Sequence, residues 1–199
     1  MESLPALLGY RIKRLRVRQH RTLEAIASES GFTKSLLSKI ERGKTTPPIA
    51  TLLKIANVLG VNIADLLSDD TSAETVFTSA KVLGENSLTR TEKGYRFHLF
   101  AGNRPDKLMQ PFLFIARKGM IKPALLSHRG EEFIYVLSGE MVYTVGGTRY
   151  ELRAGDSLYF DSEQKHDLKP VSQVVTYLAV FVDAPIGRPS RKRKRQEKS

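Results

Sequence analysis

The sequence predicts a two-domain α + β protein, with an all-helical unit in the first third and an antiparallel β-sandwich or barrel after it. Up to about residue 67, apolar residues recur at helical spacing. Beyond that point come short runs rich in aromatic and β-branched residues, separated by turn signals. The 199 residues suffice for two small cores, and 41% hydrophobic with 27% charged residues is typical of a globular chain.

Capping threonines and glycines mark the boundaries of five expected helices. Thr22 and Thr33 stand where N-caps would start the second and third helices, and Gly31 where the second must end. The residues expected to bound the third, fourth and fifth helices are Arg42, Gly43, Pro47, Pro48, Gly60 and Asn62.

The spacing of Ala27, Gly31 and Leu37 is typical of a helix-turn-helix. This motif needs a small residue where its two helices approach, a glycine in the turn and an apolar residue that anchors the second helix. The other face of the third helix then carries side chains suited to base edges and phosphates. A small helical bundle with a solvated polar face would fit the same spacing. The outward residues are Thr33, Lys34, Ser35, Ser38, Lys39 and Arg42.

The stretch TLEAIASESGFTKSLLSKIERGKTTPPIATLLKIANVLGVNIADLL resembles the XRE-type, lambda-repressor-like helix-turn-helix family, over roughly residues 7–68. The resemblance implies a five-helix DNA-binding domain with 33–42 as its recognition helix. It also implies Gln19 and nearby basic residues as contacts to the backbone of double-stranded DNA. Lys39 occupies a position where many members carry Gln, so the operator sequence does not follow from the resemblance.

The predicted β unit spans 79–185, after a short polar linker at 69–78. Many short strands with tight turns indicate a sandwich or a barrel. Gly146 and Gly147, between two alternating runs, predict a hairpin. The predicted strands are 95–100, 111–116, 132–137, 141–145, 149–152, 157–160 and 174–182.

The segment SHRGEEFIYVLSGEMVYTVGGTRYELRAGDSLYFDSEQKH is similar to the two motifs of the cupin family, a double-stranded β-barrel. The resemblance places His128, Glu132 and His166 inside the barrel as three of the family's four metal ligands. Leu126 stands where the first histidine belongs. Two imidazoles and a carboxylate suffice for a divalent ion. The same residues could instead contact a small-molecule ligand directly or form a structural remnant. Asp161 and Glu163 also replace the usual proline and glycine.

The net charge of +11 lies mainly at the two ends of the chain. Residues 1–70 carry +4, 71–187 only +1, and the last twelve, 188–199, carry +6. This distribution indicates that the two ends of the chain bind a polyanion, whereas the nearly neutral segment 71–187 has a different function. The basic tail, 186–199, is predicted to be disordered, as an arm that contacts phosphates, a solvated tail or a nuclear-import signal.

Several classes of protein are excluded by the same composition. The chain has no cysteine, which excludes a disulfide scaffold, a zinc finger and a thiol nucleophile. Its longest apolar run, near 174–182, is far shorter than the roughly 20 residues of a membrane helix. We expect a cytoplasmic, nucleoid-associated protein with no membrane partner.

A helix-turn-helix domain followed by one cupin domain resembles a group of bacterial transcriptional regulators. The resemblance implies a homodimer that binds a palindromic operator and a barrel that binds a small-molecule effector. Repression rather than activation is expected, because a helix-turn-helix domain (the head) bound to promoter DNA excludes polymerase without further contacts. No catalytic residue is predicted. The competing hypothesis is a cupin metalloenzyme, of dioxygenase or isomerase type, with a DNA-tethering head.

Overall fold

The computed structural model describes residues 4–67, 74–84, 88–104, 107–123 and 125–182. Within them, helices occupy the chain up to residue 67 and strands begin at residue 89, which confirms the predicted division into a helical and a β unit. Residues 69–73 of the predicted linker and the whole predicted tail, 186–199, lie outside the described residues.

The helices begin and end at the predicted capping residues. Thr22 and Thr33 accept hydrogen bonds at Oγ1 from backbone amides three residues on, which starts the second and third helices. Gly31 and Gly60 adopt left-handed backbone with φ of 73° and 67°, where a side chain would be strained. The helices are α1 (Leu4–Arg18), α2 (Leu23–Ser30), α3 (Lys34–Glu41), α4 (Ile49–Leu59) and α5 (Ile63–Leu67).

The helical domain closes around one apolar core, in which the first helix packs tightly on the third. Leu8 and Ile12 of α1 are fully buried, together with Leu37 and Ile40 of α3. A Cβ added at Gly9 would lie 2.7 Å from the carbonyl oxygen of Glu41. The absence of a side chain at Gly9 therefore sets how closely α1 approaches the carboxyl end of α3.

Two antiparallel sheets form the β unit. One contains six strands in the order β1-β2-β3-β9-β4-β7, and the other three in the order β6-β5-β8. The strands are β1 (Thr89–Arg90), β2 (Arg96–Leu99), β3 (Met109–Arg117), β4 (Glu131–Ser138), β5 (Glu140–Val145), β6 (Thr148–Arg153), β7 (Ser157–Asp161), β8 (His166–Pro170) and β9 (Val174–Val182).

All seven predicted strands are present, and β1 and β8 were not predicted. The first has only two residues, too few to give a pattern. The second, HDLKP, contains neither a β-branched nor an aromatic residue and ends in proline, yet it pairs with β5 through the register Val145 to His166. Tertiary pairing, rather than local preference, makes this segment a strand.

Candidate DNA-binding surface and barrel site

The outward face of α3 carries the residues predicted to contact DNA. Leu37 and Ile40 point into the core, and the Thr33 cap fixes the first turn of the helix. Helix α3 therefore presents a rigid polar and basic face to solvent, as a recognition helix requires. Of the six predicted residues on this face, Ser38 is half-buried and the exposed ones are Thr33, Lys34, Ser35, Lys39 and Arg42.

Gln19, the predicted backbone contact, lies at the end of α1 in an exposed position. Its Nε2 donates a hydrogen bond to the carbonyl oxygen of Leu59, at 2.7 Å. The neighbouring Arg21 likewise donates through Nη1 to the carbonyl oxygen of Val58, at 2.6 Å. These two hydrogen bonds connect Gln19 and Arg21, just after α1, to the carboxyl end of α4.

A nearly buried ion pair between Arg16 and Glu41 holds the end of α3. Arg16 donates through Nε to Oε1 at 2.6 Å and through Nη2 to Oε2 at 2.8 Å. The hydrogen bond to Glu41 raises the pKa of Arg16, which keeps the guanidinium charged. Sequence analysis does not identify this pair, because its members lie 25 positions apart.

The barrel brings together His128, Glu132 and His166, as the cupin motifs predicted. Their side-chain ligand atoms lie within 4.8 Å of one another, and all three residues are buried. Glu132 Oε2 is 3.5 Å from His128 Nε2 and 3.6 Å from His166 Nε2. These separations are shorter than twice a typical metal–nitrogen or metal–oxygen bond of about 2.1 Å, so one divalent ion can contact all three.

The backbone fixes the orientation of both imidazole rings. His166 Nδ1 lies 2.8 Å from the carbonyl oxygen of Gln164, and His128 Nδ1 lies 3.2 Å from that of Arg129. Since a carbonyl oxygen can only accept, each Nδ1 carries a proton, and each Nε2 is directed toward Glu132. Burial lowers the pKa of His166, which favours the neutral ring.

This arrangement leaves buried acceptor atoms facing one another. His128 Nε2 and Glu132 Oε2 have no hydrogen-bond partner, although both are shielded from solvent. The other carboxylate oxygen, Oε1, accepts a hydrogen bond of 3.4 Å from the hydroxyl of Tyr143. Buried polar groups are normally paired, so the triad fits a cation that all three acceptors could bind.

Leu126 lies beside the triad at the position where the cupin motif predicts the first histidine. Its backbone pairs with that of His166 through two hydrogen bonds of 2.8 and 2.9 Å, and its side chain lines the same cavity as the triad. The backbone geometry for a fourth ligand is therefore present, but an apolar side chain occupies it.

The cavity around the triad is small, and the helical domain covers part of it. Its volume of about 40 Å³ is well below the roughly 300–1,000 Å³ of a typical ligand pocket. Aromatic residues of the barrel and the carboxylate of Asp167 line its inner part, whereas Pro48, Ile49 and Ala50 line it from the helical side. Among the described residues that line it there is no lysine or arginine, so the lining supplies no positive side chain opposite Glu132.

Two family models match the chain in the order of its domains. A model described as "Helix-turn-helix" matches residues 12–66, and one described as "Cupin domain" matches residues 112–181. The HTH-type transcriptional regulator SlrR of Bacillus subtilis is 32% identical over 131 residues, which cover 63% of this chain and 77% of SlrR. The chain belongs to the helix-turn-helix family of transcriptional regulators.

Longer similarities agree with this assignment. The HTH-type transcriptional regulator PuuR of Escherichia coli is 27% identical to the present regulator over 165 residues, covering 82% of this chain and 88% of PuuR. A crystal structure of an HTH_3 family regulator from Vibrio cholerae superposes with a TM-score of 0.71 at 23% identity, covering 91% and 97% of the two chains. The latter similarity shows the fold.

The regulator therefore has a five-helix DNA-binding domain followed by a cupin β-barrel, as the sequence predicted. Its relatives are named as transcriptional regulators, which supports the predicted DNA-binding regulator over the competing hypothesis of a metalloenzyme. In the part of the chain that the structure describes, no helix has the length and apolar character needed to cross a bilayer.

Proposed function

We propose that the regulator is a homodimeric repressor of a palindromic operator, and that its barrel binds a small-molecule effector together with a divalent metal ion. The observation that supports the barrel's role is the buried triad of His128, Glu132 and His166, in which His128 Nε2 and Glu132 Oε2 have no hydrogen-bond partner. DNA occupancy by the head would exclude polymerase, and DNA binding would associate the protein with the nucleoid.

The triad residues would hold the ion, and the ion would supply the positive charge that the lining lacks. The aromatic walls of the cavity exclude water around Glu132, which strengthens its attraction for a cation. Tyr143 orients the carboxylate through Oε1, leaving Oε2 directed between the two imidazoles. An effector would then bind at the triad and favour one arrangement of the heads, with a coupling of about 1–3 kcal/mol.

Metal titration of the EDTA-stripped protein tests the triad. We expect Glu132→Gln to weaken Co²⁺ binding by at least roughly tenfold, or about 1.4 kcal/mol, because it removes the charged ligand. Leu126→His should tighten binding by a similar factor, since a fourth imidazole would then face the cavity. Calorimetry and the visible absorption of bound Co²⁺ measure both changes.

Operator binding provides the control for this titration. His166→Ala should abolish the Co²⁺ signal but leave the footprint of the metal-free protein on operator DNA unchanged, because the α3 face is remote from the triad in sequence and role. Equal Co²⁺ affinity of wild type and Glu132→Gln would show that the triad is not the metal site. Loss of the footprint in folded His166→Ala would contradict the division of tasks between the domains.

The outer face of the six-stranded sheet supports the homodimer. Strands β4 and β9 are apolar on both faces, whereas an antiparallel sheet with one solvated face normally alternates apolar and polar residues. Leu178 lies at its centre, paired with Leu113 on one side and Tyr135 on the other. Such a contiguous apolar face indicates a covered surface.

Charges at the corners of this face favour a second copy of the chain as its cover. Arg117, at the end of β3, pairs with Val174 at one end of β9. Glu131 pairs with Asp161 of β7 and with Val182 at the other end of β9. The basic and acidic corners are therefore diagonally opposite. A two-fold axis in the plane of the interface can then place the basic corner of one copy against the acidic corner of the other. Two heads also suit two half-sites about 34 Å apart.

Leu178→Lys tests this interface. The substitution should convert the dimer to a monomer and weaken operator binding, because a charge at the centre of the apolar face cannot be buried without a partner. Tyr150→Lys, on an exposed position of β6 in the other sheet, is the matched control and should stay dimeric. Sedimentation velocity measures both. A dimeric, fully active Leu178→Lys protein would exclude this face as the interface.

A further inference from the structure

The loop between the recognition helix and α4 is packed against the barrel. It runs from Gly43 to Pro48, and its centre is buried, with Thr45 and Thr46 only 8% and 9% exposed. The carbonyl oxygen of Thr46 accepts a hydrogen bond of 2.9 Å from the backbone amide of Glu92, in the barrel. A loop of the DNA-binding domain is thus fixed to the sensor domain through its backbone.

The same segment covers part of the triad's cavity. Pro48, Ile49 and Ala50, where the loop becomes α4, line the cavity together with His128 and His166. Its volume of about 40 Å³ is small beside the roughly 300–1,000 Å³ of pockets that bind organic ligands. A metal ion suits a cavity of this size, whereas a typical organic effector needs more room.

We propose that residues 45–50 are a lid of the barrel, and that an organic effector binds at the triad only after the lid has lifted. The proposal rests on the effector-binding role given to the barrel above. A docked lid and a bound effector are then mutually exclusive, so the effector acts by removing the contact between the head and the barrel. The affinity of the effector for the open form determines how far it shifts the equilibrium between the docked and the lifted lid.

The lid follows the recognition helix closely in the chain. This connection indicates whether the effector strengthens or weakens operator binding. Lys39 and Arg42 are exposed while the lid is docked, so the docked head can contact DNA. Docking also holds each head in one position on its barrel, which a two-headed operator complex requires. Lifting the lid frees the head from that position, and the effector therefore weakens operator binding.

A disulfide across the contact tests the lid without knowledge of the effector. The chain has no cysteine of its own, so Thr46→Cys/Glu92→Cys introduces a single pair. The backbone hydrogen bond brings these two positions together, and a disulfide needs a Cα separation of roughly 4.4–6.8 Å. The probe is diethyl pyrocarbonate, applied to EDTA-stripped, full-length protein, with modification mapped by mass spectrometry.

We expect modification of His128 and His166 to be at least tenfold slower in the oxidised than in the reduced variant. Exposed His20 is the internal control and should react equally in both forms. Thr46→Cys alone, treated with the same oxidant, controls for oxidation. Equal rates at the two barrel histidines in the cross-linked protein would overturn the lid, and so would failure of the cross-link to form in folded protein.

A second variant opens the lid by repulsion. Ala50→Asp places a carboxylate at the mouth of a cavity that already holds Glu132 and Asp167, while an acidic residue in the first turn of α4 suits the helix N-terminus. Modification of His128 and His166 should accelerate severalfold. Thr51→Asp, the next residue and not part of the lining, is the matched control. An unchanged rate in Ala50→Asp, with native circular dichroism, would contradict the lid.

Footprinting of the same samples separates this inference from the proposed function. The oxidised cross-linked protein should protect the operator as well as the reduced one does, and an operator bound only by the reduced form would reverse the direction assigned here. If neither form nor the wild type protects any operator, the proposed operator binding fails, whereas the histidine rates still report on the lid.

Discussion

Replacing Ser38 and Lys39 with alanine should abolish the regulator's discrimination between its operator and random DNA. Both residues lie on the solvent-facing side of α3, and each lost base contact typically costs about 1–3 kcal/mol. With two residues in each of two heads, the expected loss is about 4 kcal/mol, close to a thousandfold in specificity. Footprinting and fluorescence anisotropy at roughly 150 mM salt, where charge-driven binding is weakened, measure the ratio of the two affinities.

Lys169→Ala provides the matched control. This lysine is exposed on β8 of the barrel, so its removal changes the net charge of the chain by the same amount without touching α3. The control should retain the operator preference, with at most a uniform decrease in affinity for all DNA. If the Ser38 and Lys39 variants footprint like the wild type, α3 is not the recognition helix.

Glu41→Gln should give the largest loss of stability in the helical domain. The side chains of Arg16 and Glu41 are only 12% and 5% exposed, so the change leaves a nearly buried guanidinium without its counter-charge. Breaking a fully buried pair costs about 3–5 kcal/mol; the partial exposure of Arg16 reduces our expectation to about 2–3 kcal/mol. Urea denaturation followed by far-ultraviolet circular dichroism measures the free energy of unfolding.

The pair formed by Arg21 and Glu29 is the natural comparison. The carboxylate of Glu29 is 57% exposed, and solvent-exposed pairs contribute about 0–1 kcal/mol. Glu29→Gln should therefore change the free energy of unfolding by less than about 1 kcal/mol. Equal effects of Glu41→Gln and Glu29→Gln would show that the first pair gains nothing from its burial.

Features with a local chemical cause could be predicted from the sequence. Thr22, Thr33, Gly31 and Gly60 mark helix ends because capping and left-handed backbone are local requirements, and the structure confirms all four. The assembly of His128, Glu132 and His166 was expected from the cupin motifs rather than from any local preference, and the structure places their ligand atoms within 4.8 Å of one another.

Features created by tertiary contact could not be predicted. The Arg16–Glu41 pair joins two helices, and nothing near either residue in the sequence identifies its partner. Strand β8 is a strand because β5 lies beside it. The burial of Thr45 and Thr46 depends on how two separately folded units meet, and a threonine pair before two prolines looks like an ordinary exposed turn when only its neighbours are considered.

The proposed lid would also set the timing of the response. An organic effector would enter or leave the triad only while the lid is lifted, so at high effector concentration the rate of binding would be set by opening and no longer by collision. Departure would be limited in the same way. The occupancy of the barrel would then follow the effector concentration averaged over the time between lid openings. A brief change in that concentration would leave operator binding unchanged.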